Sequence, residues 1–595
     1  MDSNNTRANG DGDGVRTITL DAGGTTLKIV LDGMVCTMTS TQDGVAILSL
    51  DWTAKPGCQA PHLTWRWPLA MPVTEWRPAS EHVTVLSASW AGPVEIDTVD
   101  GAPVGSLVDL NDDNVLTYAL SIAGANVDAV FGVEEETNNC LVTLTVPARA
   151  SGLGGGSFQL RIDSRQIHFA EVLADVDNWW QEQLAHELLP VPAQASSPAY
   201  STWYSMHQHI TPDAIRAQAV QAGKMGFEAI VVDDGWHTAD TGRGYAYCGD
   251  WEPSPVFADM RGHVRDIQQL GLKYVLWYAP PLLGKNSRAA QALADYTLGW
   301  NEGLGAYVLD PRFPQVRQYL ADVVLRGIAD FGLDGVKLDF LDHFARFTER
   351  PREGTDCANV SEGVERLLQA IIAQGRELRA DLLIEFRQPY TGPRMWKYSN
   401  FLRAGDCPFD AGQNRVRTID LRLLSGGRAV HSDMLMWNPH GSPESGALQL
   451  INVLFSVPQV SVLLDELPPD HRDMLAYWVT FTQAYKDVLL HGSIRPRRPD
   501  LRYPLVDAER DGKRVTAAYS DMPVDTDAGL REHVVVNGTQ RPGLIIRAAP
   551  ARENHVIIRD CRGNLVDDRR HVLIEPAASL PVPVAGTATL TPEQA

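Results

Sequence analysis

The spacing of hydrophobic positions changes character twice along the chain. From residue 15 to about 191, short apolar–polar alternations at 17–20, 27–31, 83–86, 94–96 and 140–146 are separated by Gly and Asp clusters. Short period-two runs broken by turn residues predict strands buried on one face, and hence a β-sandwich. A helical stripe over about 170–187 and a Pro-rich stretch at 190–198 close this region. From residue 199 onward, strand-like and helix-like runs alternate. Thr211 can cap a helix, Pro212 suits its first turn, and Ile215, Ala219 and Ala222 share one face. Gly226 ends that helix and the apolar run 227–232 follows. The order recurs at Gly271 before 272–278. It recurs again at Gly332 before 335–340, after a helix over about 314–331 striped with Val316, Leu320, Val323 and Val324. Helix, glycine, buried strand is the pattern of βα units around a parallel sheet.

Eight such strands are predicted, at 200–205, 227–232, 272–278, 336–340, 382–386, 401–404, 429–436 and 460–464. Eight parallel strands close a (β/α)8 TIM barrel. A last helix over about 469–490 completes it, and 493–585 returns to short β runs between Pro and Gly turns. The expected architecture is multidomain. It has a disordered tail over 1–14, an N-terminal β-sandwich over 15–191 and a catalytic barrel over 192–492. A C-terminal antiparallel β-sandwich over 493–585 and a tail over 586–595 follow.

A length of 595 residues fits several domains rather than one core. The 52 basic and 74 acidic residues give a net charge of −22, which argues against nucleic acid and anionic membranes as partners. Seven cysteines are scattered without metal-site spacing, and the polar N-terminal stretch lacks the pattern of a signal peptide. The longest apolar run, 448–464, is interrupted by Asn452 and Pro458. These features lead us to expect a cytoplasmic protein with reduced thiols.

Reactive groups of a TIM barrel stand at the C-terminal ends of its strands. Here those ends carry Asp233-Asp234-Gly235-Trp236, Trp277-Tyr278, Lys337-Leu338-Asp339, Glu385-Phe386-Arg387, Arg403-Ala404-Gly405-Asp406 and His431-Ser432-Asp433. A single strand-end Asp can be a helix cap or turn former. Six strand ends with carboxylates, cations or indoles are better explained by a ligand with many hydroxyls and apolar CH faces, a sugar. Alternation puts Lys337 and Asp339 on one face, so Asp339 is expected to stay ionised beside the cation. An ionised carboxylate suits attack on an anomeric carbon, and a second carboxyl must then protonate the leaving group. Asp406 is the candidate, raised in pKa by a drier setting, with Asp410 as second choice.

In order along the chain, Ser201-Thr202-Trp203-Tyr204, the run from Ile230 through Asp233-Asp234-Gly235-Trp236, Gly249-Asp250-Trp251, the run from Gly271 to Trp277, and Lys337-Leu338-Asp339 resemble glycoside hydrolase family 36. That family holds α-galactosidases, some α-N-acetylgalactosaminidases and raffinose synthases. The resemblance covers about residues 199–440 and implies a retaining α-galactosidase needing no metal or organic cofactor. It makes Asp339 the nucleophile and Asp406 the acid/base. Asp233 and Asp234 would bind the sugar's 4- and 6-hydroxyls, Trp277 would line the pocket, and Lys337 would contact ring hydroxyls. Trp203, Trp236, Arg387 and Arg403 would complete the substrate site, and self-association into homo-oligomers is implied as well. Three stretches depart from the family pattern: Phe340-Leu341-Asp342-His343, the segment from Glu385 to Arg394, and the segment from Gly405 to Asp410. They bear on the sugar's 2-substituent and the aglycone. An α-N-acetylgalactosaminidase, another α-glycosidase or a transglycosylase would share the remaining motifs. A sugar-binding protein without catalysis is a further class, but both candidate carboxylates are present.

Two other signals point elsewhere. Leu20-Asp21-Ala22-Gly23-Gly24-Thr25-Thr26 resembles a phosphate loop of actin-like sugar kinases, but no second phosphate motif follows, and a β-hairpin turn explains it. His207, His209, His237, His343 and His431 lie near strand ends and raise a metal-dependent barrel hydrolase. That reading leaves the carboxylate set unexplained.

Overall fold

A computed structural model describes residues 9–10, 15–22, 25–53, 59–78, 84–96, 98–122, 127–147, 155–347, 349–527, 529–548 and 550–593. The central sheet is an eight-stranded parallel barrel. Its strands are β1 (Ala199–Ser201), β2 (Ala229–Val232), β3 (Lys273–Tyr278), β4 (Gly335–Leu338), β5 (Leu383–Arg387), β6 (Phe401–Arg403), β7 (Ala429–His431) and β8 (Gln459–Val460). They neighbour one another in chain order, β8 pairs β1, and parallel bridges His431–Val457 and Leu435–Val460 join β7 to β8. All eight expected strands are present, several of them shorter. The first ends at Ser201 rather than 205, because Trp203–Met206 turns into a short helix.

The helices follow their sequence signals. Pro212–Lys224 starts with Thr211 accepting a hydrogen bond from the Ala214 N–H. Pro314–Arg326 runs into a wider turn over Gly327–Phe331 and stops at Gly332, whose φ of 76° is left-handed. One element was not expected. A three-stranded antiparallel sheet of Leu282–Gly284, Thr297–Asn301 and Ala306–Leu309 is inserted between β3 and β4.

Two sheets of eight and six strands, almost wholly antiparallel, precede the barrel. They enclose a core that includes Leu48, Trp65, Tyr118, Phe131 and Leu160. The strands Arg16–Ala22 and Thr25–Asp32 pair as a hairpin, which fits the turn reading of the glycine pair; Gly23 and Gly24 themselves lie outside the described residues. The tail expected over 1–14 also lies outside them, apart from Asn9–Gly10, which pairs with Arg16 and Thr17. After the barrel come a seven-stranded and a three-stranded sheet around Leu505, Val535, Ile558 and Leu590. The last strand, Thr587–Pro592, pairs with Glu532–Asn537 and Arg552–Arg559, so the chain is still in the sheet where a tail was expected. Among the described residues no helix is long and apolar enough to cross a membrane.

Candidate active site

Alternation along the strands builds the site. At the N-terminal end of the barrel, Val231, Val275, Leu383, Phe401 and Ala429 form one apolar cluster with Ala195. Gly335 belongs to the same level, where a Cβ would meet the Leu383 carbonyl at 2.5 Å. Two residues further along each strand, the same face carries Asp233, Trp277, Lys337, Glu385, Arg403 and His431. Strand register sets Trp277 beside Lys337, Lys337 beside Glu385, and Arg403 beside His431. Asp339, Arg387 and Asp433 follow two residues on. The barrel is therefore apolar below and charged above.

Asp339 is the most heavily bonded carboxylate of the ring. Its Oδ2 accepts from the Trp277 indole N–H at 3.0 Å and lies 3.5 Å from Lys337 Nζ. Its Oδ1 accepts from Arg387 Nε at 2.5 Å, the Phe340 N–H at 2.7 Å and the Tyr390 hydroxyl at 3.3 Å. Burial alone would lift its pKa, but the charges of Arg387, Lys337 and Arg403 and the Trp277 N–H outweigh it. The carboxyl is held well below the usual range, so it is ionised, as expected from Lys337. Lys337 Nζ also donates to Asp233 Oδ2 at 2.6 Å. Burial works against the Lys337 charge, yet Asp233 and Asp339 keep it above its ordinary value. Asp234 accepts from Gln208 Nε2 at 2.6 Å and sits 3.0 Å from His237 Nε2.

Arg403, buried at the end of β6, joins the second group of acids. One of its nitrogens donates to Asp406 Oδ1 at 2.9 Å and to Asp433 Oδ1 at 2.8 Å. Asp433 also accepts from the Tyr204 hydroxyl at 2.9 Å and the Cys407 N–H at 2.6 Å. Burial lifts Asp433 to about 6 despite Arg403. Asp406 keeps 54% of its side chain exposed, at the rim. Its expected upward pKa shift is not found. Partial burial pushes it up, but Arg403, Lys337 and Arg387 pull it below its ordinary value, while Asp339 opposes them. The reason is the turn geometry, which folds Asp406 back onto the arginine three residues before it.

The other sequence candidates separate. Asp410 is 59% exposed and caps the helix Ala411–Leu423, accepting from the Gln413 N–H at 2.9 Å. It is a cap, and Asp410→Ala should cost about 1 kcal/mol of stability and leave turnover within twofold, measured by thermal unfolding and initial rates. Trp236 lies beneath the ring rather than in it. It is fully buried against Trp251, Tyr278 and Phe331, and its N–H bonds the Trp277 carbonyl at 2.9 Å, so it supports Trp277. Trp203 sits in the helical turn past β1, edge-on to His207.

Gln208 has no place in the sequence reading, and Tyr390, Tyr204 and Glu385 stand in it only as members of a segment, a motif and a strand end, with no role. Period two from Arg387 points to Glu385, whose Oε2 accepts from Gln459 Nε2 at 2.9 Å. Tyr390, Tyr204 and Gln208 sit on connections, where no periodicity marks them. The five strand-end histidines form no metal-binding set. Among the described residues the only group of three or more suitable ligands is Glu553, His571 and Glu593, far along the chain. His431 Nδ1 accepts from Gln459 Nε2 at 3.2 Å, and its Nε2 donates to the Ala195 carbonyl at 2.6 Å.

Residues 181–373 match the Melibiase family model. An α-galactosidase of Escherichia coli is 25% identical over 198 residues, which is 32% of this chain and 28% of that protein. α-Galactosidase AgaA of Geobacillus stearothermophilus is 26% identical over 167 residues, 26% of this chain and 23% of that protein. The matched stretch thus spans less than a third of either relative. In fold, the α-galactosidase of Lactobacillus brevis superposes with a TM-score of 0.62 at 14% identity, over 99% of this chain and 83% of that one. A variant of the family 36 enzyme AgaA in complex with raffinose gives 0.64 at 14% identity, over 97% and 83%. The resemblance to glycoside hydrolase family 36 therefore holds in sequence through residues 181–373, which take in the first four barrel strands, and in fold over nearly the whole chain.

Proposed function

We propose that this chain is a retaining α-galactoside hydrolase working by double displacement, with Asp339 as nucleophile and Asp406 as acid/base. One observation carries the reading: a buried, ionised carboxylate at the floor of the barrel faces a partly exposed carboxyl at its rim, and the two interact electrostatically. Attack on an anomeric carbon needs the first, and protonation of a departing oxygen at the pocket mouth needs the second. α-Galactosidase relatives and a fold neighbour holding raffinose support an α-galactoside as substrate. Hydrolysis is favoured over transfer as the simplest fate of the intermediate.

Asp339 attacks the anomeric carbon while Asp406 protonates the glycosidic oxygen. Bond formation neutralises Asp339. Besides burial, the Asp339 charge pushes Asp406 upward, so its loss lowers Asp406 further. The residue that was an acid in the first step then suits the role of base toward water in the second. Arg387 and the Trp277 N–H, which hold the free carboxylate, receive it again as it leaves the sugar. Asp233, beside Lys337, and Asp234, beside Gln208 and His237, would take the 4- and 6-hydroxyls, and Trp277 would line the pocket. Arg387 fills the strand-5 position near the sugar's 2-substituent, and Arg403 orients Asp406.

The pH dependence follows from the same charges. Asp339 stays ionised across the working range, so no acid limb between pH 4 and 8 belongs to it. Asp406 lies below its ordinary value, so its protonated fraction falls tenfold per unit as pH rises. We expect log kcat/KM of a substrate with a poor leaving group to fall with a slope near −1 from about pH 5 to 8. A profile that rises through this window contradicts the assignment. The function itself is tested by initial rates on p-nitrophenyl α-galactoside, α-N-acetylgalactosaminide, α-glucoside and β-galactoside. Turnover of the α-galactoside above the other three supports it. Preference for another member of the panel reassigns the sugar.

A further inference from the structure

On the opposite end of the barrel lies a cavity of about 780 Å³. Arg428, immediately before β7, and Ser196, shortly before β1, place it at the N-terminal ends of the strands, away from the charged ring. Its walls come from three domains: the helix Phe169–Gln183 that closes the N-terminal region, the barrel, and the helix Lys486–His491 leading into the C-terminal sheet.

Three cations line it with no salt bridge among the described residues, although the charge of Asp177, also in the wall, reaches two of them. Arg428 is only 9% exposed; one terminal nitrogen donates to the Leu189 carbonyl at 2.7 Å, and its Nε has no partner. Arg422 donates to the Gly492 carbonyl at 3.1 Å, and its Nε is also unpartnered. Lys486 Nζ meets the Ala193 carbonyl at 3.3 Å and Ser197 Oγ at 3.4 Å. Of the acids nearby, Asp177 is the one whose charge reaches Arg422 and Arg428. Glu171 pairs with Arg495 at 2.5 Å, and Asp177 accepts from the Gly426 N–H at 2.7 Å and Gln181 Nε2 at 2.8 Å. Burial pushes Arg422 and Arg428 down to about 10, and burial together with Arg422 pushes His491 below its usual value. Arg422 and Arg428 thus share one carboxylate, Asp177, which burial itself lifts to about 6, and buried cations short of compensation are costly.

We propose that this cavity is an oxyanion site, which takes the phosphoryl or carboxylate group of a metabolite-sized molecule between Arg422, Arg428 and Lys486. Guanidinium forks match such groups in shape as well as charge, and the volume exceeds what one inorganic phosphate fills. An anion held there joins three domains, so its binding stabilises the whole chain.

The test is thermal unfolding and titration calorimetry of the full chain with inorganic phosphate, glucose 6-phosphate and citrate, against potassium chloride at equal ionic strength. A saturable rise in Tm and a heat of binding for at least one oxyanion, absent with chloride, are expected. Tighter binding of glucose 6-phosphate or citrate than of phosphate identifies an organic ligand; equal binding of the phosphates identifies the phosphoryl group alone. Lys486→Met and Arg422→Met should each weaken binding at least tenfold, while Arg428→Met tests the most buried cation. Lys486 is partly exposed, so its variant remains informative if the arginine variants fail to fold. The His491 ring protons should titrate at higher pH with the anion bound. No saturable binding in the wild type, or undiminished binding in Lys486→Met with His491 unmoved, overturns the proposal.

Discussion

Replacing Asp339 with Ala is expected to lower kcat by on the order of 10⁴–10⁶-fold, the range seen when a covalent nucleophile is removed. The residue cannot be spared, because every neighbour is arranged around its charge. Trp277, Arg387, Tyr390 and the Phe340 N–H all donate to it, and Lys337 stands 3.5 Å away. Removal leaves Lys337 and Arg387 buried with less compensation, so a fall in Tm accompanies the loss of rate. Asp339→Asn keeps the shape, and calorimetry should show that it still binds an α-galactoside. Azide small enough to enter the space left in Asp339→Ala should attack the anomeric carbon directly and give the inverted β-galactosyl azide. Residual kcat above 1% of wild type in both variants would move the nucleophile elsewhere.

Asp406→Ala is expected to show the second largest effect, with a distinct signature. With a p-nitrophenyl leaving group, bond cleavage needs little acid, so the covalent intermediate forms and then waits for a base. A burst of p-nitrophenol should precede a steady rate reduced about 10²–10⁴-fold. Azide needs no general base, so it should restore turnover and give the α-galactosyl azide, with configuration retained. The sloping pH profile should flatten in the same variant. If Asp410→Ala gives the burst and rescue while Asp406→Ala behaves as wild type, the acid/base lies four residues along. The structure argues otherwise, since Asp410 spends its carboxylate on the N-terminus of the helix Ala411–Leu423.

What was legible in the sequence was whatever obeys a period. Alternation in Lys337-Leu338-Asp339 places both polar residues on the inner face, and the same rule reaches Glu385 from Arg387. Caps and stops were equally readable, as Thr211 and Gly332 show. Residues on connections were not. Tyr390 reaches Asp339 from beyond the end of β5, and Tyr204 reaches Asp433 from the turn after β1. Their spacing along the chain carries no trace of those contacts. The resemblance implies Trp236 in the substrate site, whereas after the turn at Gly235, with φ of 114°, the indole is fully buried against Trp251, Tyr278 and Phe331. The charge state of Asp406 was misjudged for a related reason. The sequence supplies Arg403 three residues earlier, but only the folded turn brings the two within 2.9 Å.

The strand-5 segment departs from the pattern of glycoside hydrolase family 36, yet it delivers Arg387 and Tyr390 to Asp339, so this carboxylate is held by a cation and a phenol from that side. Arg387 also lies over the rings of Phe340 and Tyr390, at 5.3 and 5.5 Å from their centroids, which fixes its direction.

The most direct measurement is proton NMR of p-nitrophenyl α-galactoside during the first minutes of turnover, before the released sugar mutarotates. Double displacement through Asp339 predicts that α-galactose appears first and the β-anomer only later. β-Galactose appearing first would mean a single displacement and would contradict the assigned roles of Asp339 and Asp406.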